Sequence, residues 1–160
     1  MNRKRKLAMF VLGLIGILLI AGFSLAPATQ AGADNRSLYG SWNVVVTTEI
    51  QGSTFPALLT FTSDGGVIAD ETPSPFETSG HGNWVSIGRG QVAYTFVALI
   101  GNAEGALSVK LKVVGRLNLN SDKESWSGPF KIDVLDPNGQ VTFTDHGTFS
   151  LTRIVVESLP

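Results

Sequence analysis

Between residues 41 and 154 apolar and polar side chains alternate with a period of two, and short breaks rich in Gly, Asn and Asp cut the alternation into eight runs. Successive side chains of a β-strand point to opposite faces, so a period of two is the mark of a strand with one dry and one wet face. The pattern predicts strands at 41–50, 55–63, 66–71, 81–88, 91–100, 106–120, 125–135 and 140–154. Turns fall at Ser63–Gly66, Gly88–Gly90, Gly101–Gly105, Ser121–Glu124 and Asp136–Gly139. These clusters hold the residues that accept turn geometry at least cost. No segment carries the stripe of an amphipathic helix.

The sixth run is the clearest. Leu107, Val109, Leu111, Val113, Gly115, Leu117 and Leu119 share one parity, and Ser108, Lys110, Lys112, Arg116, Asn118 and Asn120 the other, broken only by Val114. The seventh opposes Trp126, Phe130, Ile132 and Val134 to Ser125, Ser127, Lys131 and Asp133. In the eighth, Val141, Phe143, Phe149 and Leu151 keep one parity across Asp145 and Gly147, which predicts one long strand bent at Gly147. Eight strands on hairpin-length turns predict an all-β fold, an antiparallel up-and-down β-barrel of about eight strands, whose closure removes exposed edges. A β-sandwich is the rival, and the long bent strands favour the barrel. The longest irregular segment, Thr72–Gly80 with two prolines, is placed to cross one barrel mouth.

Ahead of the strands the pattern changes. Asn2–Lys6 is basic, Leu7–Ala26 is an uncharged apolar run, and Pro27 breaks it. Small residues follow, and both Thr29-Gln30-Ala31 and Ala31-Gly32-Ala33 suit a signal peptidase. The domains expected are therefore an export signal over 1–33 and one barrel over 34–160. The alternative is an uncleaved anchor through residues 7–26, because some twenty apolar residues also span a bilayer. The barrel is expected to be exported (secreted, periplasmic or at the cell surface), with the membrane touched only through the N-terminal segment. Asn35-Arg36-Ser37 matches a glycosylation sequon.

Charge and composition then exclude several functions. The chain has 12 basic and 13 acidic residues; four of the basic ones, Arg3 to Lys6, belong to the export segment, leaving 8 against 13. A barrel of net charge about −5 lacks the clustered Lys and Arg that phosphate backbones require, so no nucleic acid is expected as partner. With no cysteine, disulfides, thiolate metal sites and a cysteine nucleophile are excluded. No oligomeric state can be read from the sequence.

The two ends of the barrel carry a resemblance. Gly40-Ser41-Trp42 opens the first strand and Arg153 stands near the end of the last. In this respect the chain resembles the calycin superfamily, the lipocalins and related eight-stranded barrels. The resemblance implies that Trp42 packs under Arg153 and closes one end. The lipocalin disulfide, Thr-Asp-Tyr element and C-terminal helix have no counterpart here. A second resemblance, of architecture alone, is to the allene-oxide-cyclase and dirigent class of small barrels, some of which act on apolar substrates.

Candidate chemistry is sparse. His81 and His146, each before a glycine, have no ligand spacing, so neither a metal nor a cofactor is expected. Asp145 has inward parity between Phe143 and Phe149, where a carboxylate must be paired, hydrogen-bonded or neutralised, unless a bulge at His146-Gly147 turns it outward. Tyr94 carries a hydroxyl on an apolar face. These two are the candidates for acid–base catalysis. Trp84, Tyr94, Phe96, Trp126, Phe130 and Phe143 are the candidates for lining a ligand cavity, although aromatics on such faces also fill a small barrel. Glu71 and Glu77 flank the proline-rich loop and read as solvated. Three functions are consistent with this set: a binding protein for a small lipophilic molecule, a cyclase or isomerase acting on an apolar substrate, and a structural or interaction domain with a filled barrel.

Overall fold

The computed structural model describes residues 33–71 and 76–159. The export segment expected over residues 1–33 lies, but for Ala33, outside the described residues. Ala31–Pro160 forms one compact unit.

After a turn of 3-10 helix at Ala33–Leu38, eight antiparallel strands follow: β1 Gly40–Thr48, β2 Thr54–Phe61, β3 Gly66–Glu71, β4 Gly80–Gly88, β5 Gln91–Gly101, β6 Leu107–Leu119, β7 Ser125–Leu135 and β8 Val141–Arg153. Each strand pairs with the next, and β8 returns to β1 from Trp42↔Arg153 to Thr48↔Gly147. The sheet is a closed up-and-down barrel, which excludes the sandwich. β8 is unbroken through Gly147. Glu49 continues its ladder by donating to the His146 carbonyl at 2.8 Å.

Trp42, Leu117, Trp126 and Leu151 are fully buried and pack the lower part of the barrel, where β1 begins. That end is closed. The Trp42 indole donates to the Leu38 carbonyl at 2.8 Å, and the Arg153 guanidinium lies 4.2 Å from the Trp42 ring centroid. Arg153 also donates to the Tyr39 carbonyl at 2.8 Å and to the Ser37 carbonyl. One guanidinium thus stacks on the indole face while its fork ties the incoming chain to β8. Gly40 is required here: its φ is +117°, and a Cβ would sit 2.9 Å from an Arg153 nitrogen.

Asn35 is fully buried at the same end and donates to the Gly88 carbonyl at 2.9 Å and to the Ser86 hydroxyl. An amide nitrogen enclosed in this way has no room for a glycan. The sequon match is a plug that seals the barrel.

Halfway up, one register row runs Tyr94–Gly115–Phe130–Gly147–Thr48 around β5, β6, β7, β8 and β1. A Cβ at Gly115 would lie 2.3 Å from the Tyr94 hydroxyl, and one at Gly147 would lie 2.7 Å from the Phe130 ring. Each glycine leaves the space its neighbour's ring fills. Tyr94 stacks on Phe149 with centroids 6.0 Å apart and planes at 14°, and Phe130 meets Phe149 at 4.4 Å. This aromatic layer divides the interior.

Candidate functional site

Above the aromatic layer the barrel is hollow. The cavity measures about 280 Å³ and opens at the end where β1 finishes. Its walls come from seven strands: Val46 and Thr48 on β1, Phe55, Ala57 and Leu59 on β2, Ala69 on β3, Phe96 and Ala98 on β5, Leu111 and Val113 on β6, Phe130 and Ile132 on β7, and Phe149 on β8. Gly80 of β4 adds backbone. The space exists because inward positions near the upper strand ends are small (Ala57, Ala69, Gly80, Ala98), whereas those near the closed end are Trp42, Leu117, Trp126 and Leu151.

Of the aromatics expected to line a ligand cavity, Phe96 and Phe130 do so. Trp84, Tyr94 and Trp126 are buried in the packed part beneath and beside it, Trp84 with its indole donating to the Thr62 carbonyl at 3.0 Å. Phe143 is 39% exposed, because β8 runs past the mouth at its upper end. Trp42 and Arg153 stand together as closure. His81 and His146 are exposed on strands β4 and β8, four apart around the barrel. Among the described residues no three His, Asp or Glu side chains gather as a metal group would require.

The two acid–base candidates occupy different settings from the cavity lining. Tyr94 is 2% exposed, burial pushes its hydroxyl pKa further up, and the oxygen has no hydrogen-bond partner among the described residues. It stays protonated at ordinary pH. Asp145 is buried as its parity predicts, so no bulge turns it outward. It faces the β1–β2 hairpin: one oxygen accepts from Ile50 N–H at 3.0 Å and His146 N–H at 2.7 Å. Burial acts to raise its pKa, but the backbone donors of Ile50, His146 and Gln51 outweigh it and hold the carboxyl below the usual range. A carboxylate held ionised by backbone donors stabilises a turn. Asp145→Asn is therefore expected to lower the unfolding midpoint at neutral pH. Because the folded-state pKa is depressed, the stability Asp145 supplies is present above its ordinary 3.8 and lost as pH falls through the lower folded value. Thermal melts of both forms across pH check this; identical melts would mean that Asp145 does not stabilise the turn.

The sequence reading missed the ionisable groups at the mouth. Glu71 and Glu77 both line the cavity opening; Glu71 is exposed, in keeping with its solvated reading, and Glu77 is half-buried. Glu71 has the inward parity of Val67 and Ala69 on β3. Glu77 bridges to Ile100, a residue of inward parity on β5, and directly opposed residues share a face. Thr78 N–H to the Leu99 carbonyl and Gly101 N–H to the Phe76 carbonyl, both 2.9 Å, hold this segment against β5. Of the irregular segment expected across the mouth, residues 77–79 border the opening, and 72–75 lie outside the described residues. Burial, the Glu77 charge and a hydrogen bond to Glu77 together raise the Glu71 pKa from 4.5 to about 7. Glu77 is also raised by burial, and the Glu71 hydrogen bond opposes that shift. Two carboxyls set together at an apolar rim make ionisation of both at once unfavourable. The signal for this was the inward parity of Glu71, obscured by the irregular chain after it.

The sign of the pH effect follows. A carboxyl whose pKa rises on folding is disfavoured when ionised, so the fold is favoured below 4.5 and that stability is lost as pH climbs to about 7. Glu71→Gln is expected to flatten the melting temperature across this window. A wild-type slope that survives the substitution would place the titration elsewhere.

No family model matches the chain, and no curated protein is similar to it at a significant level.

Proposed function

We propose that this is an exported, calycin-like β-barrel that binds a small lipophilic molecule in its interior. The cavity carries the reading. Its 280 Å³ lies just below the roughly 300–1,000 Å³ range of drug-sized sites, which limits the ligand to a smaller molecule. Its walls are Val, Leu, Ile, Ala and Phe side chains, from which apolar contact excludes water at about 25 cal/mol per Å² of ligand surface buried. At roughly 30 Å³ per non-hydrogen atom the space takes about nine such atoms. The ligand is therefore a short chain or a single ring. Export rests on the basic and apolar segment before Pro27, and the calycin likeness on the Trp42–Arg153 closure.

A second reading, proton transfer on an apolar substrate by a cyclase or isomerase, is favoured by one observation. Glu71 stands at the mouth, where burial and Glu77 raise its pKa to about 7, the range that best suits a general acid or base. This transfers the acid–base role from Asp145 and Tyr94 to the glutamate pair.

Native mass spectrometry on protein purified from its own host tests the binding function. A chain that carries a small apolar molecule, released on denaturation, is the expected result. The bare chain alone, together with failure to take up octan-1-ol, overturns the proposal.

A further inference from the structure

The opening of the cavity is chemically one-sided, and this narrows the ligand class within the binding function just proposed. Among the residues lining it, the ionisable groups are Asp70, Glu71 and Glu77, all acidic. The other walls present no charge: Val46 and Thr48 on β1, Phe55 on β2, Ala98 on β5, Leu111 on β6, Ile132 on β7 and Phe149 on β8 are neutral. Lys110 and Lys112 of β6 have the opposite, outward parity, and Lys131 of β7 is spent on Asp133 at 2.7 Å on the outer face. Asp70 is outward on β3 and already accepts from the Ser79 hydroxyl at 2.6 Å. Glu71, of inward parity on β3, and Glu77 stand at the rim of an apolar well, with no cation beside them in the lining.

We infer that the cavity selects amphiphilic cations, molecules with a short apolar body and an ammonium-type head, the body filling the barrel and the head lying between Glu71 and Glu77. Two independent features converge on this class. The apolar well selects the body by area. The paired carboxyls select the head, because two like charges held close to low-dielectric walls are relieved by a cation that accepts bonds from neither and donates to both. An anionic head, such as a carboxylate, meets repulsion at the same point, and a neutral alcohol gains at most a hydrogen bond. Glu71, whose pKa burial and Glu77 raise to about 7 in the free protein, gives up its proton when the ammonium head arrives, so binding releases protons near neutral pH.

The test compares n-octylamine, octan-1-ol and octanoate by isothermal titration calorimetry on the protein produced in its own host. The expected order is amine, alcohol, carboxylate, with the amine ahead of the alcohol by roughly tenfold, the factor one charge-assisted hydrogen bond supplies. Glu71→Gln and Glu77→Gln should each reduce the amine's affinity by a similar roughly tenfold factor, and the alcohol's by far less, because Gln still offers a hydroxyl a hydrogen bond. Circular dichroism and thermal melts of the same variants report that they fold. Amine binding should weaken as pH falls below about 7 and, at pH 7, give buffer-dependent heats that reveal proton release. If the alcohol binds as well as the amine, or the variants keep the amine preference, the inference fails while the lipophilic-binding proposal stands. If none of the three binds, both fail.

Discussion

Trp42→Ala is expected to destabilise the barrel by about 3–5 kcal/mol, the range for deleting a fully buried tryptophan. Three losses coincide. The indole's volume leaves a void in the packed end of the core, to which the fully buried Leu38, Trp126 and Leu151 also belong. The Leu38 carbonyl loses its 2.8 Å donor. The Arg153 guanidinium loses the ring it lies 4.2 Å above, though its bonds to Ser37 and Tyr39 carbonyls keep it from being stranded. Against a typical total of about 5–15 kcal/mol this is a large share. Guanidinium unfolding monitored by far-ultraviolet circular dichroism measures it directly. Trp42→Phe keeps a ring and loses the donor, so it should cost less, about 1–3 kcal/mol. A cost for Trp42→Ala under about 1 kcal/mol would mean that ring pairing from β8 to β1, and not the packed end, holds the barrel closed.

The contrast between the ends of the barrel explains what the sequence disclosed. Strand parity is a local property, fixed by the chain's own geometry, and it gave the eight strands with boundaries within two residues of those observed. Closure was readable through Trp42 and Arg153, whose reason for meeting lies in the stacking of two flat groups. Parity also predicted the burial of Asp145. It could not name the partner, because Ile50 N–H reaches Asp145 from a hairpin on another strand. Asn35 reads as a sequon, and only its burial at the closed end makes it a plug. The mouth was hardest to read. Glu77 turns inward through its bridge to Ile100, after an irregular stretch across which no period can be counted. A signal for the cavity was nevertheless present. Ala57, Ala69, Gly80 and Ala98 sit at inward positions toward one end of their strands, while tryptophans and leucines occupy the other. Inward aromatics belong mostly to the filled half, because large side chains mark where space has been used.

That inversion gives the most direct handle on function: the side chain to change is a small one. Ala98 is 4% exposed on β5, faces Leu111 across the ladder and lines the cavity. Ala98→Phe brings a phenyl group of six carbons into a space for about nine non-hydrogen atoms. An eight-carbon ligand then loses most of its room, and each methylene kept out forfeits about 0.8 kcal/mol. Displacing four or more lowers affinity by at least about a hundredfold, since about 1.4 kcal/mol is tenfold. Stability should respond far less. Overpacking a filled core costs about 1–3 kcal/mol, but here the ring enters a void, and filling a void recovers about 24 cal/mol per Å³. The two effects offset to within about 1.5 kcal/mol. Titration with octan-1-ol, set beside guanidinium unfolding of the same variant, separates them. Binding abolished in a barrel of near wild-type stability assigns the ligand to the upper cavity. Binding that persists at full strength places it elsewhere on the protein and removes the cavity from the mechanism.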